Sequence, residues 1–484
     1  MQVFCAVSSS TTADRYSLGR SGRVTIIVLP DDVLLEIFAF YLVEESHLTW
    51  SHVQTWHTLV HVCPRWRSII FASPRRLDLR IRCTARTRVK EMLNIWPDLP
   101  LVIWRKPSSY APSQEEDADN ITAALEHNDR VCQIVLYHLP GSLLERLATV
   151  IQESFPALTY LQISVMDMPN PMFPEAFLGG SAQRLRSCIL AGITIPGIRK
   201  ILLSARGLVT LHLWNVPHSG YVSPEAIVAC LCPMHNLEDL AIGFESPLSR
   251  PDRPDQYLYP DTRVVLPALA RFHFRGVSEY MEDLVSRIDI PLLDDIKIGF
   301  FNQLIFVTPQ LHSFLSRTEK FKELNRATVE FFSRHVAFGL ESVSLSLEVS
   351  CRNLDWQLSS MAQVCNSLLP LFPTLERLDI RDGGLSGPHW QDDIVMENNQ
   401  WLEFFHPFKA LKDLYLDKKV APLVAPALQE LVGESGIEVL SALQNILAAD
   451  LQPSGSVRKA LGQFATARGL SGRPVVVFSW DGRS

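Results

Sequence analysis

One nine-residue signature recurs four times in this chain of 484 residues and constrains its fold more than any other feature. An apolar residue and a proline are followed, one residue later, by leucine. Two residues further come two apolar positions separated by one. The copies are Phe155-Pro156-Ala157-Leu158-Thr159-Tyr160-Leu161-Gln162-Ile163, Leu266-Pro267-Ala268-Leu269-Ala270-Arg271-Phe272-His273-Phe274, Ile290-Pro291-Leu292-Leu293-Asp294-Asp295-Ile296-Lys297-Ile298 and Phe372-Pro373-Thr374-Leu375-Glu376-Arg377-Leu378-Asp379-Ile380. Variants without the proline begin at Val131, Leu185, Leu208, Leu237 and Leu411, and a looser one at Leu443. The alternation that closes each copy predicts a short strand. Between copies the spacing is helical. Leu143, Leu144, Leu147, Val150 and Ile151 share one side of a helix over 142–153, and a second helix is expected over 196–205. Ser223-Pro224 and Thr308-Pro309 each place a capping residue before a first-turn proline. A helix over 357–372 is expected to be the longest.

A strand, a turn and a helix repeated about every twenty-five to thirty-five residues is the layout of a solenoid, in which each unit buries its apolar face only by stacking on the next. The L-x-x-L-x-L core of the signature resembles leucine-rich repeats over roughly residues 125–450. The spacing between copies varies, and the asparagine ladder of that family is missing, so an irregular α/β arc of short parallel strands and helices is expected rather than a regular horseshoe. Residues 76–124 read as linker strands (Leu77, Leu79, Ile81, then 99–104) and an acidic loop over 107–120; residues 451–484 read as a cap or tail covering the last repeat.

The amino end is different. Residues 1–22 are Ser/Thr-rich and are expected to form a disordered lead. From Leu29-Pro30, aspartates 31 and 32 precede Val33, Leu34, Ile37, Phe38 and Tyr41 at helical spacing. Carboxylates suit the positive end of a helix, and a proline suits its first turn. Further apolar sets at Trp56, Leu59, Val60 and Val62, then at Trp66, Ile69, Ile70 and Phe71, are divided by Cys63-Pro64. Three helices in so short a stretch cannot bury all these side chains by themselves, so a surplus apolar surface is expected.

This segment, residues 23–75, resembles an F-box, the helical module that docks substrate receptors on the Skp adaptor of Skp–cullin–F-box ubiquitin ligases. Leu-Pro at 29–30, Leu34, Ile37-Phe38, Leu59, Val62-Cys63 and Trp66 stand in the order the family shows; the spacer over 44–55 is longer and more polar than usual. The resemblance implies that Leu29, Pro30, Leu34, Ile37, Phe38, Leu59, Val62, Cys63 and Trp66 dock on the adaptor or support docking. An F-box followed by leucine-rich repeats resembles a large set of proteins of mushroom-forming fungi. It implies a substrate receptor in the ubiquitin-like conjugation pathway, reaching a cullin through the adaptor and holding a protein substrate on its repeats. The alternative is a repeat scaffold whose helical start is only a cap.

Composition narrows the remaining classes. With 47% hydrophobic and 20% charged residues the chain is not disordered overall. A net charge of −7 does not suggest a nucleic-acid or membrane partner for the whole chain. No run of eighteen apolar residues occurs, and the start lacks a secretory pattern. The nine cysteines are scattered, which fits reduced thiols in the cytosol or nucleus. Arg65–Lys90 carries nine basic residues and one acid, Asp78; it reads as a solvated face, as a complement to an acidic adaptor or, least favoured, as a nucleic-acid patch. Insertions at 245–262 and 382–393 are either recognition loops or plain solvated loops. No nucleotide-binding or nucleophile-elbow motif occurs. His57 and His61 share a helix face near Cys63, but with no Glu between them and no fourth ligand they are not expected to hold a metal. No enzyme activity, cofactor or metal is expected.

Overall fold

The computed structural model describes residues 26–44, 56–84, 87–105, 115–165, 172–251, 263–306, 308–321, 325–340, 344–368, 374–384, 398–431 and 439–480. The lead at 1–22, nearly all of the spacer at 44–55, Phe372-Pro373, and parts of the loops at 107–120, 245–262 and 382–393 lie outside them. The chain divides into two compact units, one ending at Ile81 and one beginning at Arg82.

The first unit holds three helices, α1 (Asp31–Glu44), α2 (Trp56–Val60) and α3 (Pro64–Ala72). Asp31 and Asp32 occupy the first turn of α1, where the N-terminal partial charge favours them. Pro30 stands one residue earlier than expected, at the cap, where its carbonyl accepts from the Leu34 N–H at 3.0 Å. Pro64 opens α3 after an extended Cys63, as its fixed φ allows. The core consists of Leu34, Leu35 and Phe38 from α1, Trp56, Leu59 and Val60 from α2, and Ile69 and Ile70 from α3. Phe38 meets Trp66 with ring centroids 4.7 Å apart. Trp56 donates its indole N–H to the Arg80 carbonyl at 2.9 Å.

The second unit is an α/β array. In chain order it runs β1 (Ile81–Thr84, beginning on the last residue of the first unit), α4 (Val89–Ile95), β2 (Leu101–Arg105), α5 (Glu115–Leu125), β3 (Val131–Leu139), α6 (Gly141–Val150), β4 (Tyr160–Val165), β5 (Ser187–Ala191), α7 (Ile198–Ser204), β6 (Thr210–Val216), α8 (Pro224–Leu231) and β7 (Asp239–Phe244). It continues with β8 (Val264–Val265), β9 (Arg271–Gly276), α9 (Ser278–Arg287), β10 (Ile288–Asp289), β11 (Asp295–Phe301), α10 (Pro309–Ser316), β12 (Arg326–Phe331), β13 (His335–Leu340) and β14 (Ser344–Ser350). It ends with α11 (Leu354–Ser367), β15 (Arg377–Asp382), α12 (Asn398–Phe405), β16 (Asp413–Leu416), α13 (Ala421–Glu430), β17 (Asn445–Ala449), α14 (Ser456–Leu470) and β18 (Val476–Trp480). Sixteen of these strands form one sheet, and β8 pairs with β10 apart from it.

The three copies of the signature that lie wholly among the described residues build the same corner. In the first, the Leu158 N–H donates to the Phe155 carbonyl at 3.1 Å, closing a turn with Pro156 at its second position, where its φ fits. Equivalent bonds close at Leu269, Leu293, Leu185, Leu208, Leu237, Leu411 and Leu443. The leucine of each turn is buried. The next N–H reaches back to the preceding repeat: Thr159 to Cys132, Val209 to Arg186, Glu238 to Val209, Ala270 to Glu238, Lys412 to Glu376 and Gln444 to Lys412, all at 2.8–3.0 Å. The strand that follows buries alternate side chains, as Leu161 and Ile163 do in β4. Neighbouring helices pack on one another along the array, as α9 does with α10 and α13 with α14. Each unit is thereby completed by its neighbours, the logic of a solenoid.

The array departs from the expected one in several places. It is not uniformly parallel. β11 pairs with β14 in parallel, β14 with β13 and β13 with β12 in antiparallel, and β12 with β15 in parallel. The chain therefore leaves β11, skips two places in the sheet, folds back twice, and then resumes. The sheet also extends past both expected ends of the repeats, from β1 to β18. Leu77 and Leu79 precede the first strand, which starts at Ile81. The second half of the expected acidic loop is α5: three acids open a helix whose Ala118, Ile121 and Leu125 are buried at helical spacing. The tail from 451 is one further helix and strand, and α14, not α11, is the longest helix among the described residues.

Candidate functional site

Beyond its acidic first turn and Glu36, helix α1 is largely apolar, and two faces share that surface. Leu34, Leu35 and Phe38 point into the three-helix core; Val33, Ile37, Phe40 and Tyr41, spaced i, i+4, i+7 and i+8, are exposed. Phe38 is 1% exposed and Phe40 is 70% exposed. Ile37 is 41% exposed, and Val62, in the turn after α2, is 58% exposed. Solvated aromatic and branched side chains gathered on one helix face mark an interaction surface more often than chance exposure does.

The nine residues singled out in the sequence thus fall into three groups. Leu34, Phe38 and Leu59 are buried and hold the module together; they are not available to touch a partner. Ile37, Val62 and Pro30 are open to solvent, while Leu29, Cys63 and Trp66 are partly covered. Val33, Phe40 and Tyr41 also belong to the open group. Steps of i+7 and i+8 from Val33 on the helical wheel reach Phe40 and Tyr41.

Arg65 fixes the start of α1. Its guanidinium donates to the Leu29 carbonyl at 2.6 Å and to Asp31 Oδ1 at 2.6 Å, so α3 holds the Leu-Pro turn in place. Arg76 pairs with Glu36, and Arg80 with Asp78 at 2.7 Å. Arg82 lies 3.9 Å over the Trp104 ring. The basic stretch is thus partly neutralised by its own surroundings. His57 is half-buried, and that burial, with the charge of His61 nearby, pushes its imidazole down to about 4. No group of three or more His, Cys, Asp or Glu is placed to hold a metal ion among the described residues.

On the second unit, the in-step register stacks equivalent positions into rows across the sheet. One row contains Asp239, Arg271, Asp295 and Ser344; the next contains His212, Ala241, His273, Lys297 and Ser346. These rows carry a chain of polar contacts. Asp239 accepts from His212 Nε2 and from Arg271 Nε, both at 2.9 Å. Burial opposes its charge, but those two hydrogen bonds outweigh it and hold the carboxyl down to about 2. Asp295 accepts from Ser344 at 2.7 Å and faces His273 at 3.5 Å. Asp379 is buried, with Arg326, Arg377 and Arg381 at 3.1, 3.0 and 2.7 Å. Burial again opposes ionisation, and the three guanidinium groups lower its pKa nonetheless. Arg377 also lies 3.6 Å over the Tyr415 ring. This face is a charged surface several strands wide, whose carboxylates accept hydrogen bonds from neighbouring strands. The apolar cavity lined by Leu190, Leu213, Trp214 and Tyr280 holds about 30 Å³, room for one water.

No family model matches the chain, and no curated protein matches it. No helix among the described residues is long and apolar enough to cross a membrane.

Proposed function

We propose that the chain is the substrate-receptor subunit of a Skp–cullin–F-box ubiquitin ligase. In this account the three-helix unit is an F-box. Its open face, Val33, Ile37, Phe40, Tyr41 and Val62, docks on a Skp-type adaptor, and Leu34, Phe38, Leu59 and Trp66 hold that face in shape. The observation that carries the proposal is the exposed apolar stripe on α1, within the first compact unit. A helix with a buried and an exposed apolar face needs a partner for the second.

The repeat sheet, a leucine-rich-repeat solenoid on this view, then selects a protein substrate. Its contribution to ubiquitin transfer is tethering. Holding the substrate beside a charged conjugating enzyme raises the effective concentration of its lysines at the thioester, and no side chain of this chain takes part in bond making. The cytosol or nucleus is the compartment such a role requires.

The test is recovery of the adaptor with tagged protein from a cell extract. Wild type should bring down adaptor and cullin together, and an Ile37→Asp/Phe40→Asp variant should bring down neither. Equal recovery from both would leave an interaction scaffold without a ligase.

A further inference from the structure

The large sheet ends at β18, and the chemistry of that end says what can cover it. Among the described residues β18 has one neighbour, β17, in parallel. The Val476 N–H donates to the Gln444 carbonyl at 2.8 Å, so Val476, Phe478 and Trp480 direct their backbone groups to β17. Alternation then turns the N–H and C=O of Val477 and Ser479 outward, along the open edge. Edges of this kind are ordinarily blunted by a charge, a proline or a bulge. Val476-Val477-Phe478-Ser479-Trp480 has no charge and no proline, and its pairing with β17 stays in step throughout. Val476 and Phe478 are 49% and 47% exposed.

Helix α14 has an unusual side at the same edge. Leu461, Phe464 and Arg468 are buried beneath the helix, and Gln463 accepts a hydrogen bond from Gln429 of α13 at 2.6 Å. Helical geometry therefore puts Gly462, Ala465 and Gly469 on the side turned away from α13, with Arg458 at its start. Glycine inside a helix is unfavourable relative to alanine. A Cβ at Gly462 or Gly469 would meet nothing within 4 Å, so no contact within the chain requires either glycine. Together they leave a flat side that a second helix can approach closely.

We propose that β18 and α14 pair with β18 and α14 of a second copy of this chain. A two-fold axis normal to the sheet sets β18 antiparallel to its own copy. Val477 and Ser479 then find main-chain partners, and α14 lies beside α14 with small residues facing small residues. Each feature is its own complement under that axis, as an isologous joint requires. A foreign strand laid on β18 would use the edge and leave the glycines unexplained. Helix α14 has fifteen residues and measures about 22 Å. A joint one helix and one strand layer deep, about 20 Å, covers about 450 Å² per copy. The total of about 900 Å² falls near the low end of specific interfaces, so the dimer should be weak and depend on concentration. The proposal does not rest on the ligase reading.

The test is sedimentation velocity of the full chain over about 1 to 100 µM. The mass should rise from 54.6 kDa toward twice that value. Val477→Pro removes an outward N–H and leaves the bonds to β17 in place. Gly462→Leu/Gly469→Leu puts bulk on the small side of α14. Each should raise the dimer Kd at least about tenfold, with an unchanged thermal transition. Gln463→Ala, on the side facing α13, should associate like wild type. A photo-crosslinker placed at Phe478 should capture a second copy of this chain. A chain that stays monomeric at about 100 µM, or a dimer that survives both variants, overturns the proposal. So does a dimer abolished by Ile37→Asp/Phe40→Asp, which would move the joint to α1, or a crosslink from Phe478 to a different protein in cell extract.

Discussion

Phe38 and Phe40 are two residues apart on one helix, identical in chemistry, and face opposite ways. Truncating each in turn should therefore have opposite consequences. Phe38 is 1% exposed and lies against Trp66, so Phe38→Ala removes a core ring and should cost about 3–5 kcal/mol of local stability. Phe40 is 70% exposed, and Phe40→Ala should change stability by no more than about 0.5 kcal/mol. Its effect belongs to the complex. A phenylalanine ring offers about 200 Å² of surface. If docking covers the exposed share, about 140 Å² at 25 cal/mol/Å² is about 3.5 kcal/mol, an upper bound on the ring's contribution. Allowing for what alanine retains, the loss should be about 2–3 kcal/mol, roughly a 30- to 150-fold rise in Kd for the adaptor. Hydrogen exchange over α1 reads the stability of the first unit separately from the repeats, and calorimetric titration with purified adaptor reads the affinity. Phe40→Ala opening α1 as much as Phe38→Ala does, or binding adaptor like wild type, would refute the division of α1 into a core face and a docking face.

Asp239 is held near 2, against 3.8 for the free group, so its hydrogen bonds stabilise the fold above about pH 4 and are lost as pH falls through about 2. Asp239→Asn should thus lose about 2 kcal/mol at pH 5 in urea titrations, and the gap from wild type should close in acid; a constant gap would point to packing instead. His57 is depressed to about 4 from 6.5, so protonating it opposes folding, and the first unit should weaken progressively between pH 6.5 and 4. His57→Gln should remove that slope in hydrogen exchange, and an unchanged slope would place its origin elsewhere. A Cβ at Gly197 would sit 2.3 Å from the Glu175 carbonyl oxygen, which is backbone and cannot swing aside; Gly197→Ala should lower the urea midpoint by the equivalent of about 1–3 kcal/mol, and an unaltered midpoint would mean that the segment shifts freely. Asp379→Ala leaves three guanidinium groups facing one another and should cost about 2–4 kcal/mol, Asp379→Asn less; equal stability to wild type would show that the cluster is solvated rather than structural.

The repeat was legible because each copy encodes its own geometry. A proline at the second turn position, a leucine that must be buried and a two-residue alternation fix a corner and a strand locally, so Leu158, Leu269, Leu293 and Leu375 all fall where one expects. The meander from β12 to β14 was not legible, since an antiparallel strand alternates like a parallel one, and the hairpin at Phe332–His335 lacks the Gly or Asn that announces a tight turn. Strand order is set by pairing across the sheet, which no local pattern records. The two faces of α1 were blurred for a related reason. The helix carries apolar residues on both faces, so spacing alone could not say whether Phe38 or Phe40 was inside. The Arg65 clip on Leu29 and Asp31 joins residues 34 or more apart and becomes visible only once the helices are in place.

The most direct test of the central claim is quantitative affinity purification of the full chain with the proteasome inhibited, comparing wild type with Ile37→Asp/Phe40→Asp. The account requires adaptor and cullin peptides to be enriched with wild type, at least about tenfold less so with the variant, and the variant to keep the wild-type thermal transition. Adaptor absent from wild type, or equal in the two, would contradict it.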